Sequence, residues 1–300
     1  MSFTYFPYLL IAGLLLTTCA LTQKSIKYIF FTLIIMLFFF EVLSQLMHVN
    51  EIKTKNSFAA NLIKNDKKRF IAHGAGRIDG KTYTNSLEAM NDNYKKGFKL
   101  FELDIIKTSD DFFVAAHDWK LWAKQTQYKG ELPPNRDTFL KLKIYNKYMP
   151  MDMDVINAWF KLHHDAILVT DKVNLPKEFS MKFIDKNRLM MELFTWDAVK
   201  EGLNLKIKSS MPTGRLLFSI HGDKVQFLKK LKITDIATSH RLINHHKKLM
   251  KQIVRAGIKF YAFHLNSKDN KDEKHIVCAE HQFFYGIYAD KWNFTQVIKC

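Results

Sequence analysis

Cysteine is scarce in this sequence: Cys19, Cys278 and Cys300 are the three in 300 residues. They are too few and too scattered for a disulfide framework, so the fold is expected to stand without a sulfur staple. No Cys-x-x-Cys pair is present to build a zinc site. No Gly-x-Gly-x-x-Gly follows any predicted strand, which counts against a dinucleotide-binding sheet. Acidic residues are also few, 29 Asp+Glu against 46 Lys+Arg, for a net charge of +17. Such a balance attracts anionic partners: nucleic acid, phospholipid headgroups or a phosphorylated small molecule. The lysines are spread along the chain instead of being clustered with stacking aromatics, which argues against nucleic acid. A core is not lacking. Hydrophobic residues at 47% and charged residues at 25% exclude a disordered or low-complexity chain.

Charge is absent from residues 3–22 and nearly absent from residues 28–47, where Glu41 is the exception. Each run has the roughly 20 residues that cross a bilayer as a helix. A cleaved signal peptide would carry a basic n-region, and no Lys or Arg precedes the first run. The expectation is a transmembrane helical hairpin over residues 1–48, with a tight loop around Lys24 and Lys27, then a polar tether or short amphipathic helix over 49–66. The two loop lysines favour a cytoplasmic loop, and hence a soluble domain outside the cytoplasm. The expected location is a membrane, read as a bacterial inner membrane. Without residues 1–48 the chain keeps 44 basic and 28 acidic residues, so its positive charge belongs to the soluble part.

Residues 67–300 carry no Gly/Ser linker and are close to the roughly 250 residues of one (β/α)8 barrel. Apolar β-rich runs recur at 70–73, 100–106, 113–117, 167–171, 189–194, 216–220, 236–239, 259–264 and 284–289. Helical spacing fills 85–96, 154–163, 224–231 and 245–256. This alternation predicts an α/β fold, a TIM barrel or a doubly wound sheet.

Barrel chemistry sits where strands end. His73 closes a strand and precedes Gly74-Ala75-Gly76, a small-residue turn with room for a ligand. Glu102 and Asp104, two apart in a strand, share one face. Two unpaired carboxylates so placed repel each other, and a hard divalent cation, Mg²⁺ or Ca²⁺, relieves the repulsion. The short link between Ile106 and Val114 predicts an antiparallel hairpin. With Asp110–Asp111 as a two-residue loop, Asp104 lies opposite His117. Two histidines around a carboxylate-held cation suit phosphodiester cleavage, one imidazole taking a proton from the nucleophile and the other protonating the leaving alkoxide. Trp119, Trp122 and Tyr128 follow the hairpin and read equally as mouth or as core. The adjacent pairs His163-His164 and His245-His246 face apart and read as solvated faces.

These residues resemble the glycerophosphodiester phosphodiesterase family of phospholipase-C-like barrel enzymes. The resemblance lies in His73-Gly74, Tyr83 to Ala89, Glu102-Leu103-Asp104, Thr108 to Asp111 and His117-Asp118. It continues weakly through Ala262 to Asn266 and Tyr285 to Asp290. It implies a TIM barrel acting as a phosphoric diester hydrolase on a glycerophosphodiester or related anionic headgroup or polymer. It further implies His73 and His117 as the acid–base pair, Glu102 and Asp104 as metal ligands, and a third acid on the fourth strand. Asp171 is the match for that third acid, and Lys172 for a phosphate contact. The family separates these two by one position; here they are adjacent, so either Asp171 twists inward or Thr170 and a water complete the shell. Gly74 stands where the family has arginine and Thr84 where it has glutamate. Arg77 is expected to supply the lost positive charge, and Phe263 an apolar pocket wall. Two alternatives stay open: a sphingomyelinase-D-like lyase with the same histidines, and a non-catalytic barrel that binds headgroups.

Overall fold

The computed structural model describes residues 23–265 and 271–300. The chain divides into two compact units, Met1–Lys55 and Asn56–Cys300. One continuous helix, α1 (Gln23–Ile63), provides the described residues of the first unit and the opening of the second. Its Lys27–Ile63 stretch contains a window of mean hydropathy 2.2, none of it buried in protein. A helix so apolar and so uncovered is long enough to cross a bilayer. The residues around Lys24 and Lys27, expected as a loop, are its first turns, and the expected tether continues it as far as Ile63. The first expected span, residues 3–22, lies outside the described residues.

The second unit is a barrel. Its strands are β1 (Phe70–Ala72), β2 (Leu100–Lys107), β3 (Phe113–Ala115), β4 (Ile167–Asp171), β5 (Leu189–Leu193), β6 (Ser209–Pro212), β7 (Asp235–Ser239), β8 (Lys259–Phe263) and β9 (Gly286–Ala289). Eight run parallel in the order β6-β5-β4-β2-β1-β9-β8-β7, and a bridge from Thr213 to Ala237 joins the two ends. β3 stands apart as an antiparallel partner of β2. The main helices are α2 (Leu87–Lys95), α3 (Trp119–Thr126), α4 (Arg136–Lys141), α5 (Met153–Leu162), α6 (Pro176–Lys182), α7 (Trp196–Asn204), α8 (Lys224–Lys230) and α9 (Ile243–Arg255). Side-chain oxygens at the starts of all but α6 and α9 satisfy free backbone donors, as Ser86 does for Ala89 and Asp152 for Val155. This is a (β/α)8 TIM barrel.

Period-two alternation organises the interior. One residue from each barrel strand, Ile71, Leu100, Val169, Met190, Met211, Ala237, Tyr261 and Tyr288, meets its counterparts in a buried inner cluster. Two residues further along each strand, on the same face, come His73, Glu102, Asp171, Glu192, Thr213, Ser239, Phe263 and Asp290. An apolar layer thus supports a polar one at the carboxyl end, and the layer below excludes water from beneath the site.

One predicted strand is wrong. Leu216–Ser219 belongs to a 3-10 segment, Gly214–Ser219, that Ile220 caps, and the fifth barrel strand is Ser-Ser-Met-Pro at 209–212. Small polar residues occupy that strand because α7 lies close against it: a Cβ on Gly202 would sit 2.4 Å from Ser210 Oγ. Ser209 Oγ donates to Asp235 Oδ2 at 2.7 Å, which satisfies a buried hydroxyl without apolar bulk.

The expected absence of a staple is also corrected: Cys278 and Cys300 form a disulfide, their Cα atoms 5.5 Å apart. Spacing could not reveal this pair, because the barrel's closure brings the tail back beside residues 276–280. The tail is held on its other side by α1, where Asn61 Nδ2 donates to Ile298 O at 2.7 Å and Cys300 N to Ser57 Oγ at 2.9 Å. The bond spans 22 residues, a loop whose closure contributes about 3 kcal/mol. Cys300→Ser is therefore expected to lower unfolding stability by about that amount in denaturant titrations, and reductant to lower the parent by the same amount. A parent insensitive to reductant would show the bond to be structurally idle.

Candidate active site

The mouth is assembled from the polar layer. Oxygens of Glu102, Asp104 and Asp171 come within 4.8 Å of one another. The β2–β4 register sets Asp104 beside Asp171 and Leu103 beside Thr170. Asp171 therefore faces inward, and Thr170 lies on the outer face; of the two arrangements left open by the sequence, the first is found. Lys172 adopts a left-handed φ of 68°, which turns its side chain back into the mouth. Its Nζ lies 3.1 Å from Asp171 Oδ2 and 3.9 Å from Asp104 Oδ1. Burial opposes its charge, but Asp171 and Asp104 prevail and raise its pKa, so the ammonium persists.

Each carboxylate is held. Glu102 Oε2 accepts the Gly74 N–H at 2.6 Å, while its Oε1 is buried without a hydrogen-bond partner among the described residues. Asn85 clamps Asp104 twice, donating from Nδ2 to Oδ2 at 2.9 Å and accepting from the Asp104 N–H at 3.0 Å. Burial, then Asp104 and Asp171, push the Glu102 carboxyl well above its ordinary range. Burial raises Asp104 as well, against the Asn85 hydrogen bond. Carboxylates that resist ionisation together, one with an oxygen that no protein donor reaches, form a hard-oxygen donor set fitted to a divalent cation.

Two imidazoles flank this set. His117 Nδ1 lies 2.7 Å from Asp118 Oδ2, and Asp118 also caps α3 through Leu121 N. Burial opposes ionisation of Asp118, but the Leu121 N–H and His117 outweigh it and hold the carboxyl below its ordinary range. His73 Nδ1 lies 3.4 Å from Asp290 Oδ1. His117 thus has Nδ1 in hydrogen-bond contact with a carboxylate, whereas Asp290 Oδ1 lies near His73 Nδ1 without a hydrogen bond to it, and in each ring Nε2 is the nitrogen offered to chemistry. Between them stands Tyr83, its ring centroid 4.7 Å from that of His73 and 5.1 Å from that of His117. Burial, then the charges of Asp290 and Glu102, raise its hydroxyl pKa, so Tyr83 is a neutral hydroxyl donor.

The expected hairpin register is off by one. Ile105 pairs with Ala115, because the loop is Ser109-Asp110-Asp111 with Asp111 at a left-handed φ of 68°. Asp104 thus lies across from Ala116, whose N–H donates to its carbonyl at 2.8 Å. His117 reaches the mouth because β3 ends at Ala115 and the chain turns there.

A cleft of about 600 Å³ contains His73, His117, Glu102, Asp104, Asp171, Lys172 and Phe263 together. Arg77 is not brought in. Its carbonyl accepts from Asn93 Nδ2 at 3.2 Å, and it lines neither large cleft at the mouth; Arg241 does, with Arg215 at the outer edge. Gly74, where the resemblance expects arginine, has φ +55° and would place a Cβ 2.8 Å from Tyr83 Cα, so only glycine fits. Trp122 is core, packed with Trp119, Tyr128 and Phe139. His245 and His246, expected on solvated faces, line this same cleft. Reading by sequence alone missed Tyr83, Glu192, Tyr288, Arg241 and His264. Glu192, raised by burial and Asp171, accepts from the Tyr288 hydroxyl across the barrel. Position at a strand end was the available signal for Glu192 and His264.

No protein-family model matches the sequence, and no curated protein matches it. Solved structures do. A glycerophosphodiester phosphodiesterase from Parabacteroides distasonis matches with TM-score 0.56 at 17% identity, over 74% of this chain and 92% of that one. An Oleispira antarctica phosphodiesterase in complex with its product sn-glycerol-3-phosphate matches with TM-score 0.54 at 15% identity, over 74% and 92%. The glycerophosphodiester phosphodiesterase of Thermotoga maritima matches with TM-score 0.51 at 15% identity, over 74% and 93%. The chain has the barrel fold of these phosphodiesterases.

Proposed function

We propose that this protein is a membrane-anchored, divalent-metal-dependent phosphodiester hydrolase that acts on glycerophosphodiester-type substrates. The observation that carries the reading is the Glu102–Asp104–Asp171 set, with its unpartnered Glu102 oxygen, in one cleft with His73 and with His117, which Asp118 orients. Those three residues would hold the cation, which when bound neutralises charge on a phosphate oxygen. Lys172 adds a second, permanent positive charge beside the same phosphate, and Tyr83, between the two rings, is a neutral hydroxyl donor. Water or a substrate hydroxyl attacks phosphorus and gives its proton to Nε2 of one imidazole. The other imidazole protonates the leaving alkoxide as its bond to phosphorus breaks.

The anchor is α1, uncovered and apolar over a length that crosses a bilayer, in a membrane we read as a bacterial inner membrane. The barrel lies on the outer side, where the Cys278–Cys300 disulfide persists because the compartment is not reducing.

The test uses the full chain in lipid nanodiscs with glycerophosphocholine, followed by phosphorus NMR. The expected result is a phosphomonoester that appears only with Mg²⁺ or Ca²⁺ and stops reversibly on chelation. An accumulating cyclic diester would replace the hydrolase with the lyase. Headgroup binding without turnover on any diester would make the barrel a binding module.

A further inference from the structure

Two clefts meet at the mouth, of about 560 and 600 Å³, and they share His73, Tyr83, Arg241, His264 and Tyr288. Each lies within the roughly 300–1,000 Å³ that encloses one small-molecule group. A phosphate between the two histidines would sit on the shared wall, so the two ester arms of a diester would leave it in different directions, one into each lobe. The lobes differ in chemistry. The one beyond His73 is walled by Asp272, Glu273, Lys274, Lys291 and Gln296 and suits a hydroxylated or zwitterionic arm. The other holds His117 and the acidic trio and is lined as well by Phe263, Leu242, Phe194 and Phe218, with Arg215 and His246 beside them.

Phe194 is 38% exposed and Phe218 48% exposed, although both border the catalytic cleft. Phe218 lies on the 3-10 segment after β6 and leans on His246, ring centroids 4.6 Å apart. Phe263 stands edge-on to Tyr288 at 5.8 Å. Glycerol, choline or ethanolamine leaves such a wall wet, whereas an alkyl chain covers it at roughly 0.8 kcal/mol per buried methylene.

From these unlike lobes we infer that the preferred substrate is an amphiphilic phosphodiester, a single-chain lipid whose polar headgroup enters the Lys274 lobe and whose chain lies along Phe263, Phe194 and Phe218. This rests on the hydrolase reading above and names the substrate class of that same site. Hydrolysis breaks the bond from phosphorus to one arm's oxygen and forms a bond from phosphorus to the water oxygen. One water proton ends on the released alcohol and the other on the phosphomonoester, so one product remains amphiphilic and the other is water-soluble.

The experiment compares glycerophosphocholine with hexanoyl, octanoyl and decanoyl lysophosphatidylcholine below their micellar concentrations, using the full chain in nanodiscs. kcat/KM is expected to rise at least about tenfold from glycerophosphocholine to the decanoyl lipid, less than the roughly fourfold per fully buried methylene that area scaling allows. Phe218→Ser, and separately Phe194→Ser, should reduce the long-over-short ratio of kcat/KM severalfold. Equal kcat/KM across the series, with glycerophosphocholine hydrolysed, would overturn the amphiphile inference and leave the hydrolase reading intact. Preference for a polymer with two like polyol arms would overturn it too. No hydrolysis of any of these diesters with metal present would remove both.

Discussion

Alanine at His73 or at His117 is expected to lower turnover by about 10²–10⁴-fold, the usual worth of a positioned general acid or base. Each ring does one proton transfer in a concerted displacement, so the double variant should fall little below either single one, since the two act as a unit. The carboxylate that orients His117 gives a graded check. Asp118→Asn keeps the cap on α3, because an amide oxygen still accepts from Leu121 N, but it replaces the carboxylate 2.7 Å from His117 Nδ1 with an amide. Turnover should therefore fall, though by less than in His117→Ala, while the folded structure is kept. Steady-state kinetics and circular dichroism on the same samples check the claim. A properly folded His117→Ala protein that keeps more than about a tenth of parental turnover would remove His117 from the chemistry.

Glutamine at Glu102 is expected to move activity and stability in opposite directions. Turnover should fall by about 10³-fold, since the trio loses a charged ligand. Metal-free stability at alkaline pH should rise by about 1–3 kcal/mol, because an uncompensated buried charge is removed. The sign follows from linkage. The Glu102 carboxyl in the folded protein titrates well above its ordinary value of 4.5, and Asp104 and Glu192 are raised likewise. Groups raised in this way add stability that is fully present below their unfolded pKa and is lost as pH rises toward their folded values. Metal-free protein should therefore weaken from about pH 5 upward, and Mg²⁺ or Ca²⁺ should restore it most at high pH. At a hundredfold excess over Kd that restoration is about 2.7 kcal/mol. Thermal melts with and without chelator at several pH values check it. Melting that ignores pH and cation alike would show that the three carboxylates hold no metal.

The five residues at the centre, His73, Glu102, Asp104, His117 and Asp171, were legible because they obey local rules. A strand's period of two places Glu102 and Asp104 on one face, and a strand end places His73, His117 and Asp171 at the mouth. Local rules also failed in identifiable ways. The hairpin register turned on whether the loop held two residues or three, and Asp111 in a left-handed conformation decided for three. Leu216–Ile220 has a strand's composition but not a strand's place, because the strand forms at 209–212, where α7 packs too close to admit bulk at Ser210. Arg77 lies near His73 in sequence, yet Asn93 ties its loop elsewhere, while Arg241 enters the mouth from a segment far along the chain.

What the chain alone determined is the barrel's alternation of strand and helix, the apolar helix at its start and the acid–imidazole set near its first three strands, all properties of spacing within a few residues. What only the tertiary structure decided is which distant groups complete that set: Asp290 behind His73, Glu192 and Tyr288 across the interior, Tyr83 between the imidazoles, and Cys278 joined to Cys300. Their positions depend on closure of eight strands into a ring, a long-range condition that brings together residues far apart in sequence and leaves no periodic trace in the segments it joins.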